Sequence, residues 1–332
     1  MWNIALITDE MCTFDETVSI RDRNLEGNSG MMTERVLQVF SEFTKKLSHY
    51  TNIEAFSRNI ALHKDDIVFP MYYGINLPES KSLIPALCEG HGIQYVGADM
   101  YTQALCNDKT LAKAYAREFG IPSAAGVLLI GFEDQRRLMQ KLKILTPPLI
   151  VKPNFGGGST GITNSNVVHT HEQALEYAIM LYNIHNIPIL VEEILSGYEV
   201  SYIIVGNKKR IILQDELQLV IDGVDYFHEQ IWALDCKRIN NENSEFFPSH
   251  ILSEKDKENM RWLFSSFEKV EYMRIDGRVK DGVFYLIELS PDCFLGEGCA
   301  VQLTFEHAGY SYPQMFKTLI ENALTPIKNQ CK

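Results

Sequence analysis

A lysine at the end of an apolar strand is followed at once by a glycine-rich loop. Lys152 closes the predicted strand 149–152, and the segment 156–161 reads Gly-Gly-Gly-Ser-Thr-Gly. Because glycine lacks a Cβ atom, the backbone N–H groups of such a loop can close around phosphate oxygens, and the lysine adds positive charge. The Gly-Lys-Ser/Thr sequence of a Walker loop does not follow. The segment therefore predicts a phosphate-binding loop of another kind, with a glycine-rich surface hairpin as the alternative.

A second cluster ends the predicted strand 188–192. Glu192 and Glu193 stand at its end and are followed by the apolar pair Ile194 and Leu195. A carboxylate and main-chain groups can pair with the edge of a purine, while apolar side chains cover its face. Taken alone, the pattern is more typical of a strand that runs into a solvated acidic turn. Beside a phosphate-binding loop, we interpret it as a hinge that holds a purine.

A third cluster lies on a predicted hairpin whose turn is the segment 280–282, Lys-Asp-Gly. With three residues in the turn, Arg274 would face Glu288, and Phe284 and Leu286 would lie on the same face as Glu288. Strand alternation then places four polar side chains together on that face, namely Arg274, Asp276, Glu288 and Ser290. Partly buried carboxylates need partners, and beside a nucleotide Mg²⁺ is the natural one.

Composition narrows the class of protein. The chain has 332 residues and a net charge of −12, which predicts two or three domains and argues against nucleic acid as a partner. Its 7 cysteines have no CxxC spacing, which argues against a zinc site or a disulfide framework. No basic leader precedes the first apolar run, and no apolar run approaches the ~20 residues of a membrane span. We therefore expect a cytoplasmic protein with no membrane partner.

Strand and helix signals alternate along the first hundred residues, which predicts a parallel α/β unit. The expected strands there are 2–8, 66–70 and 93–96, and the expected helices are 32–47 and 83–89. Farther on, Asn107 is expected to cap a helix over 108–119, and the segments 133–143, 171–182 and 253–267 also show helical patterns. We place the domain boundaries near residues 100 and 195, giving the domains 1–100, 101–195 and 196–332.

These residues resemble the ATP-grasp ligases, most closely the D-alanine–D-alanine ligase branch. The resemblance runs in register from about residue 66 to residue 320. Its motifs are the segments 68–70, 92–97, 107–109, 151–161, 192–199, 274–276, 287–288 and 307–312. The resemblance implies an α/β protein with an α+β lid: an N-terminal parallel α/β domain, a central lid subdomain and a C-terminal catalytic subdomain. ATP would lie between the two α+β domains, and a homodimer is an option.

The resemblance also implies roles for single residues. The implied ATP contacts are Lys109, Lys152, Gly157, Gly158 and Ser159 at the phosphates, Glu192, Glu193 and Leu195 at the adenine, and Glu199 at the ribose. Asp276 and Glu288 would bind Mg²⁺. Ser290 stands where the family usually has an asparagine as the third metal ligand, and Asp292 is the alternative. Arg274 would stabilise the tetrahedral oxyanion.

The part of the family pattern that binds amino acids is less well kept. Thr17 stands where the family has the glutamate for the first substrate's ammonium, with Glu16 one residue away. Cys299 replaces a serine that usually meets the product's carboxylate. Trp232 belongs to an aromatic cluster in the segment expected to cover the second substrate, where it would line the acceptor pocket or pack the loop.

The sequence thus predicts an ATP-dependent carboxylate–amine ligase that acts on amino acids or peptides through an acyl phosphate and uses ATP and Mg²⁺. Because the substrate contacts depart from the family, we expect substrates other than two D-alanines. Two alternatives remain open. One is a true D-alanine–D-alanine ligase of peptidoglycan synthesis, and the other is a non-catalytic ATP-binding homologue.

Overall fold

The computed structural model describes residues 1–10, 12, 19–21, 24, 26–75, 77–132, 134–232 and 244–325. The strands are β1 (Trp2–Thr8), β2 (Thr44–Tyr50), β3 (Ile67–Met71), β4 (Gln94–Tyr95), β5 (Gly126–Leu129), β6 (Leu149–Pro153), β7 (Val167–Val168), β8 (Ile189–Glu193), β9 (Gly197–Asn207), β10 (Arg210–Ile221), β11 (Tyr226–Phe227), β12 (Ser244–Pro248), β13 (Tyr272–Lys280) and β14 (Val283–Pro291). The α-helices are α1 (Gly30–Ser41), α2 (Ile53–Asn59), α3 (Leu83–His91), α4 (Met100–Asn107), α5 (Lys109–Arg117), α6 (Gln135–Leu142), α7 (His171–His185), α8 (Glu254–Ser266), α9 (Ala300–His307) and α10 (Tyr312–Leu324). Within these ranges, no helix combines the length and apolar character needed to cross a bilayer.

The first sheet is parallel, with the strand order β2-β1-β3-β4. The predicted parallel α/β unit is therefore confirmed. The helix expected over 32–47 instead ends at Ser41, and the edge strand β2 follows. Its sequence, Thr-Lys-Lys-Leu-Ser-His-Tyr, is polar and partly exposed, so it lacks the apolar run that marks the buried strands β1 and β3.

Two antiparallel sheets form the rest of the chain. The second has the order β5-β8-β6-β7, and the third has the order β12-β10-β9-β13-β14, with β11 paired to β9. Helices α4, α5 and α8 pack on the apolar face of the third sheet. Helix α10 packs in a separate core that joins the first sheet to β9 and β10 of the third sheet, and the Phe316 ring lies 5.6 Å from that of Phe69. We propose these three sheets as the cores of the three domains.

Helix α5 begins one residue later than expected. Asn107 ends α4, and Asp108 caps α5 by accepting hydrogen bonds from the backbone N–H groups of Thr110 and Leu111. The prediction of Asn107 as the cap is therefore wrong. The shift matters for the site, because it makes Lys109 the first residue of α5.

The β13–β14 hairpin has a two-residue turn, 281–282, instead of the expected three. Arg274 consequently pairs with Ser290, and Asp276 pairs with Glu288. The prediction that Arg274 faces Glu288 is wrong. The expected grouping of the four side chains on one face is nevertheless consistent with this pairing. Arg274 and Asp276 are two positions apart on β13, and Glu288 and Ser290 are two positions apart on β14.

A β-bulge lies between Asp276 and Gly277. The register skips Ile287, so the side chains of β14 change faces at that residue, whereas Arg274, Asp276 and Arg278 of β13 all line one cavity. Phe284 and Leu286 are fully buried in the core formed with α4, α5 and α8. The prediction that they share a face with Glu288 is wrong for this reason.

Gly277 has no room for a side chain. A Cβ atom there would lie 2.2 Å from Cζ of Phe284 and 2.5 Å from the backbone oxygen of Tyr285. We expect Gly277→Ala to lower the free energy of unfolding by about 1–3 kcal/mol, the usual cost of overpacking. Gly90→Ala in α3 is the matched control, because nothing lies within 4 Å of its Cβ position. Urea denaturation should show no loss in the free energy of unfolding for this control. Equal losses in both variants would show that the clash at Gly277 is not the cause.

Asp9 follows β1 and is 7% exposed. Its Oδ2 accepts hydrogen bonds from the backbone N–H groups of Tyr73 and Gly74, at 2.8 and 2.7 Å. Burial outweighs these bonds and raises the pKa of Asp9 from 3.8 to about 7. The folded protein therefore holds a proton that the unfolded chain releases between these two pH values.

This pKa shift makes stability depend on pH. Because the folded protein binds the extra proton, its free energy of unfolding should fall as pH rises from about 4 to 7, by at most ~1.4 kcal/mol per pH unit from this group. Asp9→Asn should remove this part of the slope. Denaturant titrations of both proteins from pH 4.5 to 8 measure it, and identical slopes would show that Asp9 is already ionised in the fold.

Candidate active site

One cavity lies between the second and third sheets, and both contribute to its wall. The predicted residues that line it are Lys109, Lys152, Gly157, Ser159, Glu192, Glu193, Leu195, Glu199, Trp232, Arg274, Asp276 and Glu288. Gly158 belongs to the same loop, and Ser290 is the strand partner of Arg274. Cys299 does not line this cavity. Glu16 lies outside the described residues.

Glu192 forms a buried ionic network with two lysines. Its Oε2 lies 2.7 Å from Nζ of Lys152, and its Oε1 pairs with Lys113. All three residues are at most 5% exposed. Burial would raise the pKa of Glu192, but the two ammonium groups outweigh it and lower this pKa to about 2. For Lys113 burial dominates, because it shares one anion with Lys152, and its pKa falls to about 8.

Sequence reasoning missed Lys113. It follows Lys109 by four residues, so the two lysines lie on one face of α5. That face is buried, which is exceptional for lysine. The spacing was therefore a usable signal, although only the fold shows that the face is buried.

Lys109 connects the phosphate loop to the carboxylates of the hairpin. Its ammonium donates a hydrogen bond to the backbone oxygen of Gly156, and it lies 3.7 Å from Oε1 of Glu288. Burial lowers the pKa of Lys109. The backbone N–H of Lys109 also donates to the backbone oxygen of Asn154, 3.0 Å away. The start of α5 and the loop after β6 are thereby held together.

Arg274 and Asp276 form an ion pair on β13. Nε of Arg274 lies 2.8 and 2.9 Å from the two carboxylate oxygens of Asp276. The hydroxyl of Ser201 donates to the same carboxylate at 2.7 Å. With Glu288 directly opposite Asp276, this part of the hairpin presents the guanidinium of Arg274 and two carboxylates to the cavity.

Asp292 has partners elsewhere. Its Oδ2 accepts hydrogen bonds from the backbone N–H of Ala98, at 2.8 Å, and from the side chain of Gln103. These partners belong to α4 and the segment before it. Burial raises the pKa of Asp292 to about 7. Neither Asp292 nor Ser290 is among the residues that line the cavity.

A further acidic residue, Glu26, reaches the phosphate loop and was not predicted. Its Oε1 accepts a hydrogen bond from the backbone N–H of Gly157 at 2.6 Å. Its Oε2 lies 2.7 Å from Nζ of Lys81. The two residues join the N-terminal part of the chain to the loop. No sequence pattern indicates this contact, since the three segments are far apart along the chain.

The residues predicted for substrates have the following contacts. Trp232 packs edge-on against Phe246, with ring centroids 5.4 Å apart, and its backbone oxygen accepts the hydroxyl of Ser159 at 2.7 Å. Cys299 caps α9 and accepts a hydrogen bond from the backbone N–H of Gln302. Burial raises the pKa of the Cys299 thiol to about 11, so the thiol is neutral at physiological pH.

Comparison with known proteins decides the family. A family model described as the C-terminus of D-Ala–D-Ala ligase matches residues 116–321. The chain belongs to the D-alanine–D-alanine ligase family. A D-alanine–D-alanine ligase of Acetivibrio thermocellus is 24% identical over 333 residues, covering 98% of this chain and 82% of the relative. One from a Thermoanaerobacter species is 26% identical over 275 residues, covering 80% and 73%.

Solved structures of this ligase family share the fold. The D-alanine–D-alanine ligase of Bacillus anthracis complexed with ATP superposes with a TM-score of 0.72 at 19% identity, covering 97% of each chain. A D-Ala:D-Ser ligase of Enterococcus faecalis gives 0.67 at 21% identity, covering 97% of this chain and 99% of the other. The predicted family and ATP-grasp fold class are confirmed. As a family member, the chain is an ATP-dependent ligase that forms C–N bonds.

Proposed function

We propose that this ligase binds ATP in the cavity between the second and third sheets. The observation that carries the proposal is the convergence of three buried lysines, a glycine-rich loop and two opposed carboxylates in one cavity. The triphosphate would lie against Lys109, Lys152 and the loop 156–161. The adenine would lie at the hinge, beside Glu192 and Leu195.

We further propose Mg²⁺ as the metal. The described residues contain no group of three or more histidine, cysteine or acidic side chains that could hold a metal ion. A two-carboxylate set nevertheless fits Mg²⁺, which usually binds one or two carboxylates together with substrate phosphates. Asp276 and Glu288 supply these carboxylates, and Ser290 is the third candidate ligand. The bound ion would offset the negative charge of the triphosphate.

The chemistry we infer has two steps. A substrate carboxylate oxygen attacks the γ-phosphorus, the bond from that phosphorus to the β–γ bridging oxygen breaks, and ADP leaves. An amine then attacks the acyl carbon, inorganic phosphate leaves, and the amine loses a proton. Lys109 and Lys152 reduce the charge repulsion of the first step, and Arg274 faces the oxyanion of the second. The loop 156–161 must exclude water, because an acyl phosphate hydrolyses readily.

For the substrates, we propose amino acids or peptides other than a pair of D-alanines. The described acidic residue at the phosphate loop is Glu26, and Lys81 already pairs with it at 2.7 Å. A substrate ammonium would have to displace this lysine. The Enterococcus faecalis neighbour is named for a different second substrate, so the fold accepts such changes.

D-alanine–D-alanine ligation is the second candidate. The names of the relatives favour it, since one of them aligns over 98% of this chain. A non-catalytic role is less well supported, because Lys109, Lys152 and Arg274 all line the cavity. As the described cysteines are all unpaired, we also propose a reducing, cytoplasmic location.

Release of ADP separates these candidates. The protein would be incubated with Mg²⁺ and ATP against D-alanine alone and against pools of amino acids and dipeptides, with product masses read from active pools. We expect ADP and a condensed product with a particular pool, and neither in a Lys152→Ala control. Activity with D-alanine alone would establish the second candidate. A protein that binds ATP but releases no ADP with any pool would contradict the proposed substrates.

A further inference from the structure

Arg278 is a buried cation at the edge of the cavity. It is 5% exposed, and it lines the cavity beside the hinge. Its Nε and Nη2 lie 3.2 and 3.1 Å from Oε2 of Glu199, the strand partner of Arg278 on β9. Nη1 donates to the backbone oxygen of Leu195 at 2.8 Å, and Nη2 also donates to that of Gln230. The planar face lies over the ring of Phe227, 5.6 Å from its centroid.

These contacts join three separate segments through one guanidinium. Leu195 belongs to the hinge between β8 and β9, Glu199 to β9, and Gln230 to the segment after β11. A guanidinium holds its donors in a rigid plane, so it fixes the relative positions of its acceptors more tightly than an ammonium would. Arg278 therefore determines where the carboxylate of Glu199 lies relative to the hinge.

Only one oxygen of Glu199 is used in this way. Both bonds from Arg278 go to Oε2, and no described donor forms a hydrogen bond with Oε1. The Glu199 side chain is 16% exposed and lines the cavity, so a ligand in the cavity can reach its carboxylate. A carboxylate in such a position is suited to accept hydrogen bonds from the hydroxyls of a ribose, as acidic residues do in other nucleotide sites.

We propose that Arg278 is a positioning residue that makes this ligase selective for ribonucleotides over nucleotides without ribose hydroxyls. By holding Oε2 of Glu199 and the carbonyl of Leu195, it keeps Oε1 directed at the ribose while the hinge holds the base. The inference rests on the proposed ATP site. It adds a residue that sequence reasoning did not single out, because a lone arginine on a strand has no recognisable spacing.

Binding, not turnover, is the direct test. Dissociation constants for ATP and 2′,3′-dideoxy-ATP with Mg²⁺ would be measured by calorimetry for the wild type, Arg278→Met, Arg278→Lys and Glu199→Gln. We expect the wild type to prefer ATP by about tenfold, the size of one good hydrogen-bonding interaction. Arg278→Met and Glu199→Gln should each weaken ATP binding and leave dideoxy-ATP nearly unchanged. Arg278→Lys should keep part of the preference.

The double variant Arg278→Met/Glu199→Gln should lose no more selectivity than either single variant, because both act on one carboxylate. If Arg278→Met or Arg278→Lys weakens the binding of both nucleotides by the same factor, Arg278 only stabilises the fold and the inference is overturned. A wild type that binds both nucleotides equally well overturns the inference and leaves the ATP site intact. A wild type that binds neither contradicts the proposed ATP site itself.

Discussion

Arg274→Ala is expected to lower kcat by about 10²–10³, equivalent to roughly 3–4 kcal/mol of barrier, and to leave ATP affinity nearly unchanged. The guanidinium lies in the cavity beside the opposed carboxylates Asp276 and Glu288, where we propose that it faces the developing oxyanion. Steady-state kinetics at saturating substrates and calorimetry with ATP measure the two quantities.

A second role of Arg274 needs a control. Because Arg274 also holds Asp276, its loss could act through the metal. Ser201→Ala removes a different hydrogen bond to the same carboxylate and serves as the matched variant. If Arg274 acts on the oxyanion, Arg274→Ala should lower kcat even at saturating Mg²⁺, and Ser201→Ala should not. If the kcat of Arg274→Ala returned to the wild-type value at high Mg²⁺, the residue would act through metal binding instead.

Glu192→Gln is expected to have the largest effect on stability, a loss of about 3–5 kcal/mol in the free energy of unfolding at pH 7. The substitution leaves the ammonium groups of Lys113 and Lys152 buried without their shared anion. Urea denaturation of the protein without ligands measures the loss.

Lys113→Met is the matched control for this network. It preserves the pair between Glu192 and Lys152, whose atoms lie 2.7 Å apart. Burial already lowers the pKa of Lys113 to about 8, so removing its charge should cost less than half as much as removing that of Glu192. Equal losses in the two variants would show that the network depends on Lys113 as much as on Glu192.

The sequence was most informative where chemistry is concentrated in short segments. Lys152 and the glycines after it lie within ten residues, and the acidic hinge is equally compact, so both could be recognised without a fold. Helix α5 was also predictable, because Gly120 and Pro122 mark its end. Its start was misplaced by one residue, since Asn107 and Asp108 are both good caps and only the packing decides between them.

Contacts between segments that are distant along the chain could not be predicted from the sequence. The register of the β13–β14 hairpin depends on one residue in the turn and on a bulge beside Asp276, neither of which leaves a pattern. Arg278 was missed because its importance lies in which backbone oxygens it reaches. Glu26 was missed because its partner Lys81 is 55 residues away. Strand β2 was missed because an exposed edge strand can be polar.

The measurement that tests the central claim most directly follows oxygen from the substrate into phosphate. Carboxyl-¹⁸O-labelled amino acids and dipeptides would be incubated with the protein, Mg²⁺ and unlabelled ATP, and the released inorganic phosphate would be analysed by mass. An acyl phosphate transfers one carboxylate oxygen to the phosphate, so we expect one ¹⁸O atom in each phosphate released with the condensed product. Unlabelled phosphate would mean that water, and not a carboxylate, attacks the γ-phosphorus, which would contradict a ligase.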